Sequence, residues 1–277
     1  MQKPDAQRLS LNTATVRKQW TLDQIIEGCA RHQIRGISPW RDQVQALGLQ
    51  KTAQLIRSNE LAVSGYCRGG MFPGIDEAAR RAADDDNRRA VDEALALNAA
   101  CLVLVVGGLP GESKDIAGAR SQVRDGLGRL LEYARTAGMP LAIEPLHPMY
   151  AADRACINTL EQANDLCDEL GDDGLGIAVD LYHTWWDPKL FAQLERAGRK
   201  RILGFHICDW LVPTRDLLLD RGMMGDGVID IRAARQAVEA LGYEGAHEVE
   251  IFSEHNWWQR DPDSVLEMCK ARHQSHC

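Results

Sequence analysis

Acidic residues and one histidine occur at the ends of four consecutive apolar segments in the second half of the chain. They are Glu144 in LAIEPLHP, Asp180 in GIAVDLYHTWWDP, His206 in LGFHICDW and Glu250 in HEVEIFSE. Three carboxylates and one imidazole suit a divalent ion with positions left open for a substrate, rather than a closed structural zinc site. We therefore predict that these residues bind one divalent metal ion, with Mn²⁺ favoured and Mg²⁺, Co²⁺ or Zn²⁺ as alternatives.

Such a donor set suits proton transfer next to a carbonyl group. A divalent ion that chelates a carbonyl and its neighbouring hydroxyl acidifies the α-proton and stabilises the enediolate. Glu144 and Glu250 could then act as two bases on opposite faces, which would give an isomerase or epimerase. His147, three residues after Glu144, could instead be the single base of a lyase, or a loop histidine that caps a turn before Pro148. The residues leave both reactions open.

The choice of Glu250 over Glu248 as a ligand depends on their positions along the last strand. Both residues would share one face of the last strand, and Glu250 lies nearer its carboxyl end. On the same grounds Ala142 and Glu144 share a face. Buried carboxylates are costly unless they are paired or bound to a metal. We expect Glu250 to be the ligand and Glu248 to lie deeper, as a partner of the ligands.

Short apolar segments alternate with amphipathic stretches along the whole length, as in repeated strand–helix units. The predicted strands are Leu9–Thr13, Gly36–Pro39, Ala62–Tyr66, Cys101–Val106, Leu141–Glu144, Leu175–Asp180, Ile202–Ile207 and Glu248–Phe252. The predicted helices are Leu22–His32, Ile75–Asn98, Ser113–Ala137, Thr159–Leu170, Lys189–Gly198, Ile231–Leu241 and Asp263–Arg272, with Gly138, Gly171 and Gly242 as C-caps. Eight such units in 277 residues predict a (β/α)₈ barrel, an α/β fold, as a single domain over residues 1–277.

A doubly wound open sheet is the alternative architecture. Its phosphate-binding loop would follow the first strand, but LSLNTATVRKQ lacks the glycine fingerprint. In a closed barrel, active residues gather at the carboxyl ends of the strands. The predicted strands would therefore bring the four donors together at one end of the barrel.

Composition excludes several classes of protein. The net charge is −8 with a pI of about 5.5, which disfavours binding to nucleic acid or to an anionic membrane. The N-terminal segment has no apolar core of a secretory signal, and no apolar stretch is long enough to cross a membrane. The eight cysteines form no C-x-x-C pair and are interpreted as reduced thiols of a cytoplasmic protein. The tail CKARHQSHC is interpreted as a frayed helix end.

The segments LAIEPLHP, AVDLYHTWWDP, GFHICDW, DRGMMGDGVIDI and EVEIFSE resemble the xylose-isomerase-like barrel superfamily. Within it they are similar to the sugar phosphate isomerase/epimerase group, from the first strand to the tryptophans after the last. In this group the metal ligands are a Glu, an Asp, a His and a Glu on the fifth to eighth strands. The resemblance implies that they correspond to Glu144, Asp180, His206 and Glu250. The resemblance also implies that His183, three residues after Asp180, contacts substrate. The expected substrate is a small sugar, keto-sugar or polyol.

The chain departs from particular members of this superfamily. Ketose 3-epimerases carry a second glutamate where this chain has Tyr150, and an arginine where it has Val212. A simple free ketohexose is therefore disfavoured as the substrate. Barrel subunits of enzymes that cleave 3-keto-glycosides have a histidine at the position of His147. An inosose dehydratase-like or glycoside-cleaving lyase that uses His147 thus remains the alternative.

Several residues near predicted strand ends are expected to shape the substrate pocket. The tryptophans Trp40 and Trp186 could lie against a sugar ring, although core packing would also explain them. Arg68 in CRGGMF and Arg221 in DRGMMGDG could hold an anionic group, although loop arginines are usually solvated. We predict that all four bind substrate.

Two other classes of protein stay as alternatives. The superfamily includes endonuclease IV-like DNA-repair enzymes that cut at abasic sites, but these need three zinc ions and more histidines, and the acidic pI argues against DNA. A non-catalytic binding barrel would not need the acidic donor set. The sequence leaves open whether the chain forms a homo-oligomer or works with an accessory subunit.

Overall fold

The computed structural model describes residues 3–277 and contains a barrel of parallel strands. Eight strands have apolar, mostly buried sequences, and a short third segment completes the barrel. The nine barrel strands are β1 Leu9–Asn12, β2 Gly36–Ser38, β3 Ala62–Val63, β4 Tyr66–Gly70, β5 Leu102–Val105, β6 Leu141–Ile143, β7 Leu175–Asp180, β8 Ile202–Ile207 and β11 His247–Val249. A separate antiparallel pair is formed by β9 Asp209–Trp210 and β10 Arg221–Gly222.

The barrel closes through the chain itself. The strand order is β3-β2-β1-β11-β8-β7-β6-β5-β4, so the two ends of the sheet are consecutive segments separated only by Ser64 and Gly65. Strand β3 pairs with β2, whereas β4 pairs with β5. The two segments together serve as one barrel strand, and the predicted (β/α)₈ barrel is confirmed.

Helices surround the sheet, and several of them begin at side chains that cap them. Asp76, Asp115 and Asp230 accept hydrogen bonds from the backbone three residues on, and Gly138 and Gly171 end their helices in the left-handed conformation. The helices are α1 Leu22–Arg31, α2 Arg41–Leu47, α3 Leu49–Ser58, α4 Glu77–Ala96, α5 Ile116–Ala137, α6 Leu160–Leu170, α7 Leu181–Thr184, α8 Leu190–Arg201, α9 Ile231–Ala240 and α10 Pro262–His276. None of the helices in the described chain is long and apolar enough to span a membrane.

Three local predictions are corrected by the structure. The third predicted strand, Ala62–Tyr66, is divided and continues to Gly70, so Arg68 lies in a strand rather than in a following loop. Helices α2 and α3 occupy a stretch for which we predicted no element. The C-terminal tail is not frayed, because α10 continues to His276 and the side chains of His273 and Cys277 are buried.

Strand alternation separates two kinds of core. Large aliphatic residues such as Leu102, Leu104 and Ile143 belong to the main core that the helices cover. The intervening positions form a small apolar cluster of Cys67, Cys101, Val103, Ala142 and Ala178. Because alternate residues point to opposite faces, this second set faces the barrel interior. Glu144 and Asp180 follow Ala142 and Ala178 by two positions and continue the interior face.

Candidate metal centre

The four donors predicted from the sequence come together at one end of the barrel. One ligand atom from each of Glu144, Asp180, His206 and Glu250 lies within 4.8 Å of the other three, and all four side chains are buried. Their strands β6, β7, β8 and β11 are adjacent in the sheet, and Asp180 is in register with His206. Glu250, the glutamate nearer the carboxyl end of its strand, is in this cluster, and Glu248 lies two residues before it.

The imidazole of His206 is held between carboxylates. Its Nδ1 lies 3.0 Å from Oε1 of Glu144, whereas Nε2 lies 3.6 Å from Oε1 of Glu248. Glu248 in turn accepts hydrogen bonds from Nδ2 of Asn12 at 2.7 Å and from Oγ of Ser64 at 2.9 Å. Burial alone would lower the pKa of His206, but the nearby carboxylates, Glu248 first, raise it well above its ordinary value.

Arg221 is a buried counter-charge of the same cluster. Its Nη1 lies 3.0 Å from Oδ2 of Asp180 and 3.0 Å from Oε2 of Glu250, and its Nη2 lies 3.1 Å from Nε2 of His183. The guanidinium also lies over the ring of Tyr182, 4.4 Å from its centroid. The idea that Arg221 is a solvated loop residue is therefore wrong. Arg221 lies on β10, and its Nη1 donates hydrogen bonds to the carboxylates of Asp180 and Glu250.

The pKa values of the carboxylates show how crowded this cluster is. Burial, together with the charges of Glu144 and Asp180, raises the pKa of Glu250 to about 8 although Arg221 opposes the shift. For Asp180, burial is outweighed by Arg221, His183 and His206, and the pKa is lowered. Arg221 contacts only two of the three carboxylates, Asp180 and Glu250. Three buried carboxylates and one imidazole fit a divalent cation.

A cavity of about 230 Å³ opens beside the cluster. Glu144 and Glu250 line it, whereas Asp180 and His206 are not among its lining residues in the described chain. The predicted substrate-binding residues Trp40, Arg68, His183 and Arg221 also line it, and the rest of its wall is formed by Met71, Val105, Leu146, Tyr150, Asp153, Arg154, Leu218 and Phe252. Most of the side chains that we predicted for the pocket therefore meet in one space.

His147 and Trp186 lie elsewhere. In the described chain neither lines the cavity; the two rings contact each other, with centroids 5.6 Å apart. The His147 ring stacks on Trp210 at 5.3 Å, and its Nδ1 accepts from the backbone amide of Met149 at 3.4 Å. Trp186 donates to the carbonyl of His183 at 2.7 Å. These contacts correspond to the capping and packing interpretations of the two residues.

Sequence reasoning missed two residues that position the site. Asn12, the last residue of β1, donates to Glu248 and accepts from Nε1 of Trp40 at 2.8 Å. The buried carboxylate of Asp209 accepts from the backbone amides of Trp210, Gly225 and Ile229 at 2.9–3.0 Å, which fixes the loop that carries Arg221. The only sequence signal for Asp209 is its position three residues after His206, opposite the GDG turn.

Comparisons with known proteins agree with this architecture. A family model described as xylose isomerase-like TIM barrel matches residues 25–269. A Bacillus velezensis protein named inosose isomerase is 25% identical over 261 residues, which cover 88% of each chain. The crystal structure of protein SMc04130 from Sinorhizobium meliloti is 56% identical, covers 99% of both chains and has a TM-score of 0.96. A structure of IolI protein with a zinc atom is 20% identical, covers 96% of both chains and has a TM-score of 0.82.

Proposed function

Because the chain belongs to the xylose isomerase-like TIM barrel family, we propose that it is a metal-dependent isomerase or epimerase of a small sugar or polyol. The observation that carries the proposal is the buried cluster of Glu144, Asp180, His206 and Glu250 beside a cavity of sugar-sized dimensions. The similarity to a protein named inosose isomerase supports a cyclic polyol ketone as the substrate.

The donor cluster is proposed to hold one divalent ion through its three carboxylates and one imidazole. When bound there, the ion would supply Lewis acidity that favours loss of a proton next to a substrate carbonyl. Asp180 and His206, which lie behind the cavity wall, would serve as ligands alone. Glu248, whose Oε1 lies 3.6 Å from Nε2 of His206, would help to orient the imidazole, as partners of metal-bound histidines commonly do.

Glu144 and Glu250 are the proposed bases because they are the two donors that line the cavity. Glu144 follows β6 and Glu250 follows β11, with β7 and β8 between them in the sheet. They would therefore approach a bound substrate from different sides, one removing a proton and the other returning one. Arg221 and His183 line the same wall and would orient the substrate's oxygen atoms.

A lyase that uses His147 as its base is the second candidate, and the packing of that residue weakens it. The ring contacts Trp210 and Trp186, and Nδ1 is engaged by the Met149 amide. Burial lowers the pKa of His147, which would suit a neutral base, but the carboxylates are the groups that line the cavity. The geometry thus favours a reaction in which one carboxylate removes a proton from the substrate and the other returns a proton to it.

The proposal is tested by solvent exchange. The protein is incubated in D₂O with Mn²⁺ and a panel of inososes, keto-sugars and 3-keto-glycosides, together with their acidic or phosphorylated counterparts, and deuterium at the α-carbon is measured by NMR. We expect incorporation into at least one compound, abolished by chelation and by Glu144→Gln. The matched control Glu267→Gln changes an exposed acid on α10 and should exchange normally. Absence of exchange across the panel, with metal bound, would overturn the assignment.

A further inference from the structure

Arg68 is a cation in the cavity wall whose guanidinium is without a protein partner. In residues 3–277, no carboxylate lies within 4.0 Å of it and it donates no hydrogen bond. The side chain is only partly exposed and extends from β4 into the cavity that Glu144 and Glu250 line. Partly desolvated arginines normally meet a carboxylate or phosphate. Its missing partner therefore requires an explanation.

The neighbouring arginines have carboxylate partners that Arg68 lacks. A second cavity of about 510 Å³ adjoins the first and shares Trp40, Arg68 and Met71 with it. Its other two arginines are both neutralised: Arg17 pairs with Asp42, and Arg41 lies 2.6 Å from both Asp86 and Glu93. Arg68 lies between the two cavities without such a carboxylate.

A second guanidinium lies close to Arg68. Arg154 lines the same cavity, and its Nε, which has no hydrogen-bond acceptor, is 3.5 Å from Oδ2 of the exposed Asp153. Burial, and next the positive charge of Arg154, lower the pKa of Arg68 from its ordinary value. Two guanidinium groups thus face one cavity. Arg154 has Asp153 beside it, whereas Arg68 has no carboxylate within 4.0 Å, so an anion bound next to Arg68 would relieve the repulsion.

The strand order shows where Arg68 lies relative to His206. Its strand β4 is four steps from β8 around the closed barrel in either direction, so Arg68 stands across the opening from His206. A substrate that places its carbonyl at the donor cluster would extend its far end toward Arg68. The cavity wall carries the carboxylates of Glu144 and Glu250 and the guanidinium groups of Arg68 and Arg154, and Asp153 and Arg221 line it as well.

We propose that the substrate carries an anionic substituent, a carboxylate or a phosphate, which Arg68 binds together with Arg154 in the cavity that Glu144 and Glu250 line. This inference rests on the proposed function, since it takes the cavity to be the substrate site. Arginine presents a planar fork that matches either group with two parallel hydrogen bonds. The proposal makes a neutral inosose or ketose a poorer substrate than its acidic or phosphorylated counterpart.

Binding is measured by calorimetry on the full chain with Mn²⁺, so that turnover is not required. The probes are D-glucose 6-phosphate, D-glucuronate and neutral D-glucose. We expect at least one anionic probe to bind on the order of 10-fold or more tightly than glucose, with a preference that weakens in salt. The phosphate and carboxylate arms identify which substituent is recognised. Equal binding of all three probes, or no binding of either anion, would overturn the proposal.

A phosphate could also bind the metal ion itself. Variants of Arg68 therefore test whether this arginine is the cause of the preference for the anionic probe. Arg68→Gln should remove the preference for the anion, and Arg68→Lys should restore part of it. Arg129→Gln, which removes one positive charge from an exposed, paired arginine on α5, should keep it. An anion preference that survives Arg68→Gln would contradict the assignment. Solvent exchange measured on the same variants reports the reaction separately, so failure of the anion site and failure of the proposed function are distinguishable.

Discussion

The Oε1 atom of Glu248 lies 3.6 Å from Nε2 of His206, and strand pairing sets these two residues directly opposite each other on β11 and β8. The other nitrogen of the ring, Nδ1, faces Glu144. Each imidazole nitrogen therefore has a carboxylate of its own. The arrangement gives Glu248 and Glu250 different tasks although they lie two residues apart.

The first prediction compares these two glutamates. Glu250→Gln should lower turnover by a factor on the order of 10² or more, because it removes a ligand and a base together. Glu248→Gln should weaken metal affinity on the order of 10-fold, as substitutions of residues that contact a metal ligand do. Metal content and affinity are measured by mass spectrometry and competition with a chelating dye. A larger loss of metal from the Glu248 variant would reverse the assignment of these two residues.

The second prediction concerns His147. His147→Ala should keep its metal and retain measurable α-proton exchange, because the ring packs on Trp210 and does not line the cavity. Exchange in D₂O and metal content are measured on the same preparation. A metal-replete variant with no exchange would favour the lyase, in which His147 is the base.

The third prediction concerns Arg221 as counter-charge. In metal-free protein, Arg221→Met leaves Asp180 and Glu250 without their shared cation, so the free energy of unfolding should fall by roughly 3–5 kcal/mol. Mn²⁺ should stabilise this variant more than the natural protein. Arg199→Gln breaks an exposed pair with Glu244 and should change stability by less than about 1 kcal/mol. Chemical denaturation with and without Mn²⁺ provides the measurement; equal losses in the two variants would contradict the role.

The fourth prediction is a loss of stability in acid from a buried histidine pair. Nδ1 of His247 lies 2.9 Å from Nε2 of His273 at the amino end of the barrel, near Arg8, Arg235 and Glu239. Burial and the arginines lower the pKa of His247 to about 2 and of His273 to about 4. The folded protein keeps both rings neutral where the unfolded chain takes up protons, so stability falls as the pH falls below about 6.5.

Each of these imidazoles would contribute a slope of up to ~1.4 kcal/mol per pH unit below that pH. The free energy of unfolding is measured by chemical denaturation at several values between about pH 5 and pH 7.5. His273→Gln removes one of the two groups and should decline less steeply with acidity than the natural protein. Identical slopes in the two proteins would show that the pair does not titrate on unfolding.

Much of the fold and the donor set could be predicted because each depends on local pattern. Alternation on β6 and β11 places Glu144 and Glu250 on the interior face, and strand ends in a barrel converge. Arg221 could not be assigned in this way, because its position depends on the loop that Asp209 holds through three backbone amides. The place of Arg68 within a strand also depends on pairing over long sequence separation, because the third strand is interrupted at Ser64 and Gly65 and its two segments pair with different neighbours.

The C-terminal tail was misjudged for a related reason. A short polar sequence with two histidines and a terminal cysteine is typical of a fraying end. Here His273 finds a partner in His247, and Cys277 is buried although it is the last residue. These are contacts over long sequence separation, which a local pattern does not report.

The most direct test of the account is a crystal structure of the protein loaded with Mn²⁺. We predict one ion bound by Glu144, Asp180, His206 and Glu250, with an oxygen or nitrogen atom of each at roughly 2.0–2.4 Å from it. Glu248 should remain outside the coordination sphere, against the ring of His206. An ion bound elsewhere, or two or more of these four side chains directed away from it, would contradict the central claim that they form one metal site.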